Sequence, residues 1–186
     1  TIMDYAGRVV AIVGQAGEKE GNRVLNRAAD SPRPPGSTIK PLSSYAPGIE
    51  KGEITWSSFV RDSSIYYYNR QWPKNYNGSL GSGSNVSVQV ALAKSLNTVP
   101  ARICVNMLGP EVSYDYVKNK FHISAAIDGK DNSPAPLVVG SMDIGITSLE
   151  LTAAYASFGN GGLYYEPYSY YYVENSSGEV ILDNRD

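Results

Sequence analysis

The chain has 186 residues, 42% of them hydrophobic, with a formal net charge of -2 and a pI near 5.5. That length supports a buried core as one domain, and the near-neutral charge offers no field for nucleic acid or an anionic membrane surface. A single cysteine, Cys104, and a single histidine, His122, leave neither an internal disulfide nor a zinc cluster, and no apolar run is long enough to span a bilayer.

The first predicted element is a hairpin, Thr1 to Tyr5 and Arg8 to Val13, turning at Ala6-Gly7. Next comes Pro34-Pro35-Gly36-Ser37-Thr38-Ile39-Lys40-Pro41. Residues three apart on a helix are neighbours, so Ser37 and Lys40 share one face. Proline is tolerated only where a helix has no N–H bond to lose, which places Pro41 in the first turn and Ser37 at or near the N-cap. A serine there meets the positive end of the helix dipole and free N–H groups, both suited to an oxyanion formed at its acyl product. Lysine is its base only when neutral, which takes desolvation or a second cation. The same tetrapeptide also fits a solvated first turn of an ordinary helix. This helix is expected to end near Gly48 or Gly52.

Residues 61–85 are rich in Tyr, Asn, Gly and Ser and read as a long loop near a cleft. There Tyr66, Tyr67, Tyr68 and Trp72 either stack on a glycan or peptide or pack the loop onto its own domain. A helix follows from about Val86 to Lys94, with Val88, Leu92 and Leu96 on one face. Thr98-Val99-Pro100 starts another, which Gly109 ends. Ser95 and Asn97 lie in the turn between them, either as a proton-relaying hydroxyl and a substrate-holding carboxamide or simply as turn formers and caps. Cys104 reads as a buried structural thiol. A further helix runs from about Pro110 to Phe121, and His122 at its end is a surface or packing residue. Thr147 and Glu150 have capping-box spacing, which makes Glu150 a cap rather than a catalytic acid, with Gly159 as the left-handed end. Leu151, Ala154, Tyr155 and Phe158 would share that helix's buried face. The tyrosines from Tyr164 to Tyr172 mark a return to strands with one face inward, and Tyr170 to Leu182 reads as two strands around Asn175-Ser176-Ser177-Gly178. The class is α+β, a helical cluster packed on an antiparallel sheet.

Four blocks in order, R-P-P-G-S-T-I-K-P, W-P-x-N-Y, A-L-A-K-S-L-N-T-V-P-A and G-I-T-S-L-E-L-T-A-A-Y-A-S-F-G-N-G-G, closely resemble the transpeptidase domain of class A, bifunctional penicillin-binding proteins. The resemblance implies that Ser37 is the acyl-accepting nucleophile, Lys40 its proton acceptor, Ser95 a proton relay and Asn97 a substrate anchor, with no cofactor and no metal. It also implies a peptidoglycan stem peptide ending in D-alanyl-D-alanine as substrate and β-lactams as its mimics. Attack on the penultimate carbonyl releases D-alanine, and an amine from a neighbouring strand resolves the acyl-enzyme into a cross-link. Members of the family work on the extracytoplasmic face of the bacterial membrane, and their anchor and glycosyltransferase domain would precede Thr1. Their third motif, Lys-Thr/Ser-Gly on a strand lining the cleft, has no counterpart: no lysine here is followed by Thr or Ser and then Gly. Residues 1–186 are therefore expected to be the front part of such a domain, an incomplete sheet included, and inactive unless complemented. Two alternatives stay open. One is a hydrolase, a D,D-carboxypeptidase or β-lactamase, although no segment resembles a deacylating Glu-x-x-Leu-Asn loop. The other is a non-catalytic β-lactam sensor that acylates once.

Overall fold

The computed structural model describes residues 1–18, 21–124 and 132–185. The chain divides into two compact units, one joining Thr1–Pro32 to Ile146–Asp186, the other formed by Arg33–Gly145. Helices and short antiparallel ladders make the class α+β as expected, but among the described residues the strands form four separate two-stranded ladders rather than a single sheet. No helix among the described residues is long and apolar enough to cross a membrane.

In the first unit, β1 (Ile2–Met3) and β2 (Val9–Ala11) pair antiparallel as the predicted hairpin, though shorter. Asp4 builds its turn: Oδ1 accepts from the Ala6 and Arg8 N–H groups at 3.0 and 2.9 Å, and Oδ2 from Arg8 Nε at 3.0 Å. The helix Ser148–Ala156 opens with the predicted capping box, in which Thr147 Oγ1 accepts from the Glu150 N–H and Glu150 Oε2 accepts from the Thr147 N–H. Its buried face keeps Ala154 from the expected set but not the two aromatic rings. Ala153, Ala154 and Ser157 are buried, while Tyr155 and Phe158 are exposed and meet edge to face at 5.6 Å. The left-handed residues after it are Gly161 and Gly162, not Gly159. A Cβ at Gly159 would stand 2.1 Å from the Tyr5 ring, so a side chain there would displace that ring.

The closing hairpin is as read, β7 (Tyr172–Glu174) against β8 (Val180–Asp183), with Asn175 Oδ1 accepting from the Ser177 and Glu179 N–H groups in the turn. The expected inward tyrosine face is absent: Tyr170, Tyr171 and Tyr172 are all exposed. They pack on neighbours along the surface, Tyr171 on Tyr168 at 6.0 Å and Tyr172 under the Arg185 guanidinium at 4.1 Å, which suits rings with one polar edge.

In the second unit, β3 (Phe59–Arg61) pairs with β6 (Asn85–Ser87) and β4 (Ile65–Tyr67) with β5 (Arg70–Trp72). The stretch 61–85 thus holds the β4–β5 ladder, enclosed by the β3–β6 pairing, and is loop as expected from residue 73 to 84. Val86 lies in β6, so the next helix starts only at Val88, where Ser87 caps it by accepting from the Val90 N–H at 3.2 Å. A helical run 98–108 breaks at Gly109, whose φ of 86° no β-carbon-bearing residue favours, and a second run covers 110–120. Tyr45, Ile54, Val60, Val88, Ala91, Val99 and Ile103 form one core cluster, each burial of a large side chain contributing roughly 1.5–3 kcal/mol. Gly48 lets its helix approach this core, since a Cβ there would lie 3.0 Å from Ile54 and 3.1 Å from Ile103. Cys104 is buried as expected, and burial pushes its thiol up to about 11. His122 is on the surface.

Candidate active site

Ser37 and Lys40 belong to one helical segment that changes pitch along its length. Gly36–Ile39 is a tight 3-10 turn, Pro41–Tyr45 is wider than an α-helix, and Ala46–Glu50 is α-helical. Pro35 is the N-cap, so Ser37 sits one residue inside the helix rather than on the cap. The Lys40 N–H donates to the Ser37 carbonyl, which is the acceptor that an N–H at position 41 would otherwise have used. Pro41 therefore removes a bond that the tight turn has already replaced. Ser37 is exposed, whereas Lys40, one turn on, is only 1% exposed.

Two glycines hold the entrance of this segment. The Gly36 N–H donates to the Gly140 carbonyl at 3.4 Å, and a Cβ on Gly140 would fall 2.2 Å from the Gly36 carbonyl oxygen. A Cβ on Gly145 would fall 2.1 Å from the Arg33 carbonyl carbon. With φ values of +68° and +97°, both positions require glycine by conformation as well as by space. Deeper in, Ser43 Oγ donates to the Leu137 carbonyl and ties the helix to the segment Pro134–Val139.

The Lys40 ammonium points away from solvent and spends its three donors on the turn between the helices. Nζ is 2.8 Å from the Ser95 carbonyl, 3.2 Å from Ser95 Oγ and 2.5 Å from Asn97 Oδ1. None of these partners is a carboxylate, and burial alone lowers the lysine from its ordinary value to about 8. A neutral Lys40 keeps two N–H groups for the carbonyl oxygens and turns its lone pair to the longest contact, Ser95 Oγ, which then donates. The arrangement can take up a proton through Ser95. Of the four predicted residues, Lys40, Ser95 and Asn97 meet through side chains, while Ser37 is joined to Lys40 through the backbone bond.

Ser95 holds an unusual backbone position. The Ser95 N–H donates to the Leu92 carbonyl and the Leu96 N–H to the Ala91 carbonyl, which is the Schellman closure of the helix Val88–Ala93. The residue at its left-handed position is normally glycine, and here it is Ser95, with φ +51°. A side chain is kept where the backbone disfavours one, and that side chain faces Lys40.

Two residues of the site had no role in the sequence reading. Asn75 Oδ1 accepts from the Asn97 N–H at 2.7 Å and the Thr98 N–H at 3.4 Å. Asp62, 5% exposed, accepts from Asn75 Nδ2 at 3.3 Å, from Thr98 Oγ1 at 2.5 Å and from the Ser82 N–H at 2.9 Å. Burial by itself raises the Asp62 carboxyl, and the bonds from Thr98, Ser82 and Asn75 outweigh it, leaving the group below its ordinary value and ionised. Asn75 stands inside the W-P-x-N-Y block, so its position was visible but its partner was not; nothing local marks Asp62. A cavity of about 600 Å³ is lined by Ser95 together with Asp62, Asn75, Tyr76 and Lys94. Among the described residues, no group of three or more His, Cys, Asp or Glu side chains could hold a metal ion.

Comparison with known proteins adds a family. The profile described as "Penicillin binding protein transpeptidase domain" matches residues 1–182. The chain is 36% identical to penicillin-binding protein 1A of Clostridium acetobutylicum over 194 aligned residues, covering 99% of this chain and 23% of that protein. It thus spans about a quarter of the length of the curated relatives it matches. Among solved structures, penicillin-binding protein 1A of Haemophilus influenzae superposes with a TM-score of 0.67 at 31% identity, covering 86% of this chain and 23% of that one. An imipenem acyl-enzyme complex of penicillin-binding protein A from M. tuberculosis superposes with a TM-score of 0.68 at 20% identity, covering 87% of this chain and 40% of that one, a likeness of fold.

Proposed function

The chain belongs to the penicillin-binding protein transpeptidase family, and from that membership and the buried Lys40–Ser95–Asn97 contact we propose that it carries the acylation half-site of a peptidoglycan D,D-transpeptidase. Ser37 is the nucleophile. Its hydroxyl attacks the penultimate carbonyl of a stem peptide ending in D-alanyl-D-alanine, D-alanine leaves, and an amine from a neighbouring strand takes the acyl group. β-Lactams, which form an acyl-enzyme with the M. tuberculosis relative, acylate the same serine.

The observation that carries this reading is the burial of Lys40 among oxygen acceptors without a carboxylate. A lysine lowered to about 8 is neutral in a useful fraction near physiological pH, as a base must be. Ser95 passes the proton between Lys40 and the leaving amine, and Asn97 has the substrate-anchoring role that the family resemblance implies, exchanging its Lys74 contact for the substrate. The Lys-Thr/Ser-Gly strand that completes the family's oxyanion hole would come from outside these 186 residues, as would a membrane anchor at the extracytoplasmic face. Against the β-lactamase alternative, the Glu150 carboxylate serves as a helix cap, accepting from the Thr147 N–H and hydroxyl.

The test is intact-mass spectrometry after exposure to a β-lactam, with the chain alone and mixed with a separately produced segment bearing the Lys-Thr/Ser-Gly strand. A one-to-one adduct on Ser37 in the mixture, lost in Ser37→Ala with the circular dichroism unchanged, is the expected result. An adduct of equal yield on Ser37→Ala, or none under any condition, overturns the proposal.

A further inference from the structure

An asparagine that precedes a helix normally turns its side chain onto the first N–H groups of that helix. Asn97 precedes the helix that starts at Thr98, yet its side chain makes no capping bond. Its carboxamide is used elsewhere: Oδ1 accepts from Lys40 Nζ at 2.5 Å and Nδ2 donates to the Lys74 carbonyl at 2.8 Å. Two features release it. Pro100 stands at the third helical position and has no N–H to offer, and of the N–H groups at the helix start those of Asn97 and Thr98 are taken in trans by Asn75 Oδ1.

Asn75 is itself held on every side. Its backbone N–H donates to the Ser79 carbonyl at 2.9 Å and its carbonyl accepts from the Gly78 N–H at 2.8 Å. Its Nδ2 donates to the buried Asp62 carboxylate, which also takes the Thr98 hydroxyl. Asp62 is fixed in turn by close approach of the backbone at Gly81, where a Cβ would lie 2.3 Å from the Asp62 carbonyl oxygen. The orientation of this carboxamide is thereby dictated: nitrogen to Asp62, oxygen to the two N–H groups.

We infer that Asn75 is a positioning residue for the reaction, a surrogate helix cap whose occupation of the Asn97 and Thr98 N–H groups leaves the Asn97 carboxamide free to hold Lys40, with Asp62 fixing Asn75 from behind. The inference rests on the proposed role of Lys40, but its primary readout does not. Without the trans cap, the Asn97 oxygen is drawn back to its own helix and the Lys40 contact is lost.

The experiment is NMR on the full 186-residue chain, following the nuclear Overhauser contact between the Asn97 carboxamide and the Lys40 ε-methylene together with amide exchange at Asn97 and Thr98. In Asn75→Ala the contact disappears and both amides exchange at least about tenfold faster, the size of effect expected for one lost backbone-protecting bond. Ser87→Ala, which removes the cap of the preceding helix, lowers the melting temperature comparably and leaves the contact in place. The exchange of Asn75→Asp together with Asp62→Asn, which keeps an acceptor for both N–H groups and a donor behind it without setting two carboxylates together, retains the contact and covers the case in which Asn75→Ala does not fold. A contact that survives Asn75→Ala, disappears equally in Ser87→Ala, or is lost in the folded double exchange overturns the inference. β-Lactam acylation is measured alongside with the strand segment added: if wild type is not acylated, the proposed function fails while the NMR result still decides the role of Asn75.

Discussion

Lys40 is the residue whose environment does most to set the chemistry. Its folded value near 8 lies below the ordinary lysine range, so the unfolded chain binds the extra proton between about pH 8 and that range. Stability therefore rises with pH across that window, and below it the buried charge costs stability. Acylation should follow the neutral amine, increasing as pH passes about 8 and levelling above; a rate independent of pH there would remove Lys40 as the base. Ser95 tests the opposite balance, because its left-handed backbone costs about 1 kcal/mol that glycine would not. Ser95→Gly should leave stability unchanged or raise it by up to about 1 kcal/mol while slowing acylation on the order of a hundredfold, the size of a lost proton relay. Urea titration and labelling kinetics on the same variant separate the two effects.

At the scale of elements, the placement of Ser37 depends on backbone that approaches backbone. Gly145 and Gly140 carry positive φ and touch Arg33 and Gly36, so the tight turn that presents Ser37 rests on two positions that admit no β-carbon. Gly145→Ala should destabilise the chain by about 2–4 kcal/mol, combining left-handed strain with overpacking, and should slow Ser37 labelling in the fraction that remains folded. Denaturant unfolding with labelling of the native fraction checks both. The pairing of Thr147 with Glu150 was legible because its chemistry is local, three residues apart. The ladders within 61–85 were not, because Arg61 finds Asn85 only through folding and the segment's many Gly, Asn and Ser residues mask two short strands as loop.

The whole molecule consists of two units, and the first is assembled from the two ends of the chain. Loop closure on that scale grows only slowly more costly with length, so one unit can be inserted into another without a large penalty. The core around Ile103 belongs to the unit that carries Ser37, Lys40, Ser95 and Asn97. Ile103→Ala should cost about 2–5 kcal/mol and abolish β-lactam labelling at temperatures where wild type reacts. Ile181→Ala on the exposed β8 should fall within about 0.5 kcal/mol of wild type. Differential scanning calorimetry of the two variants distinguishes them.

What the sequence by itself determined was whatever depends on near neighbours or on a pattern of blocks. Ser37 and Lys40 share a turn because three residues make one, Gly109 stops a helix because of its φ, and the ordered motifs identify the family whose profile covers residues 1–182. Tertiary structure decided what depends on distant partners. It buried Lys40 against a turn 55 residues away, set Ser95 in a glycine position, exposed the tyrosines near the C-terminal hairpin, and gave Asn75 and Asp62 a place behind the site. The physical reason is the same in each case: desolvation and hydrogen-bond satisfaction are properties of surroundings, and a residue's surroundings are assembled by folding.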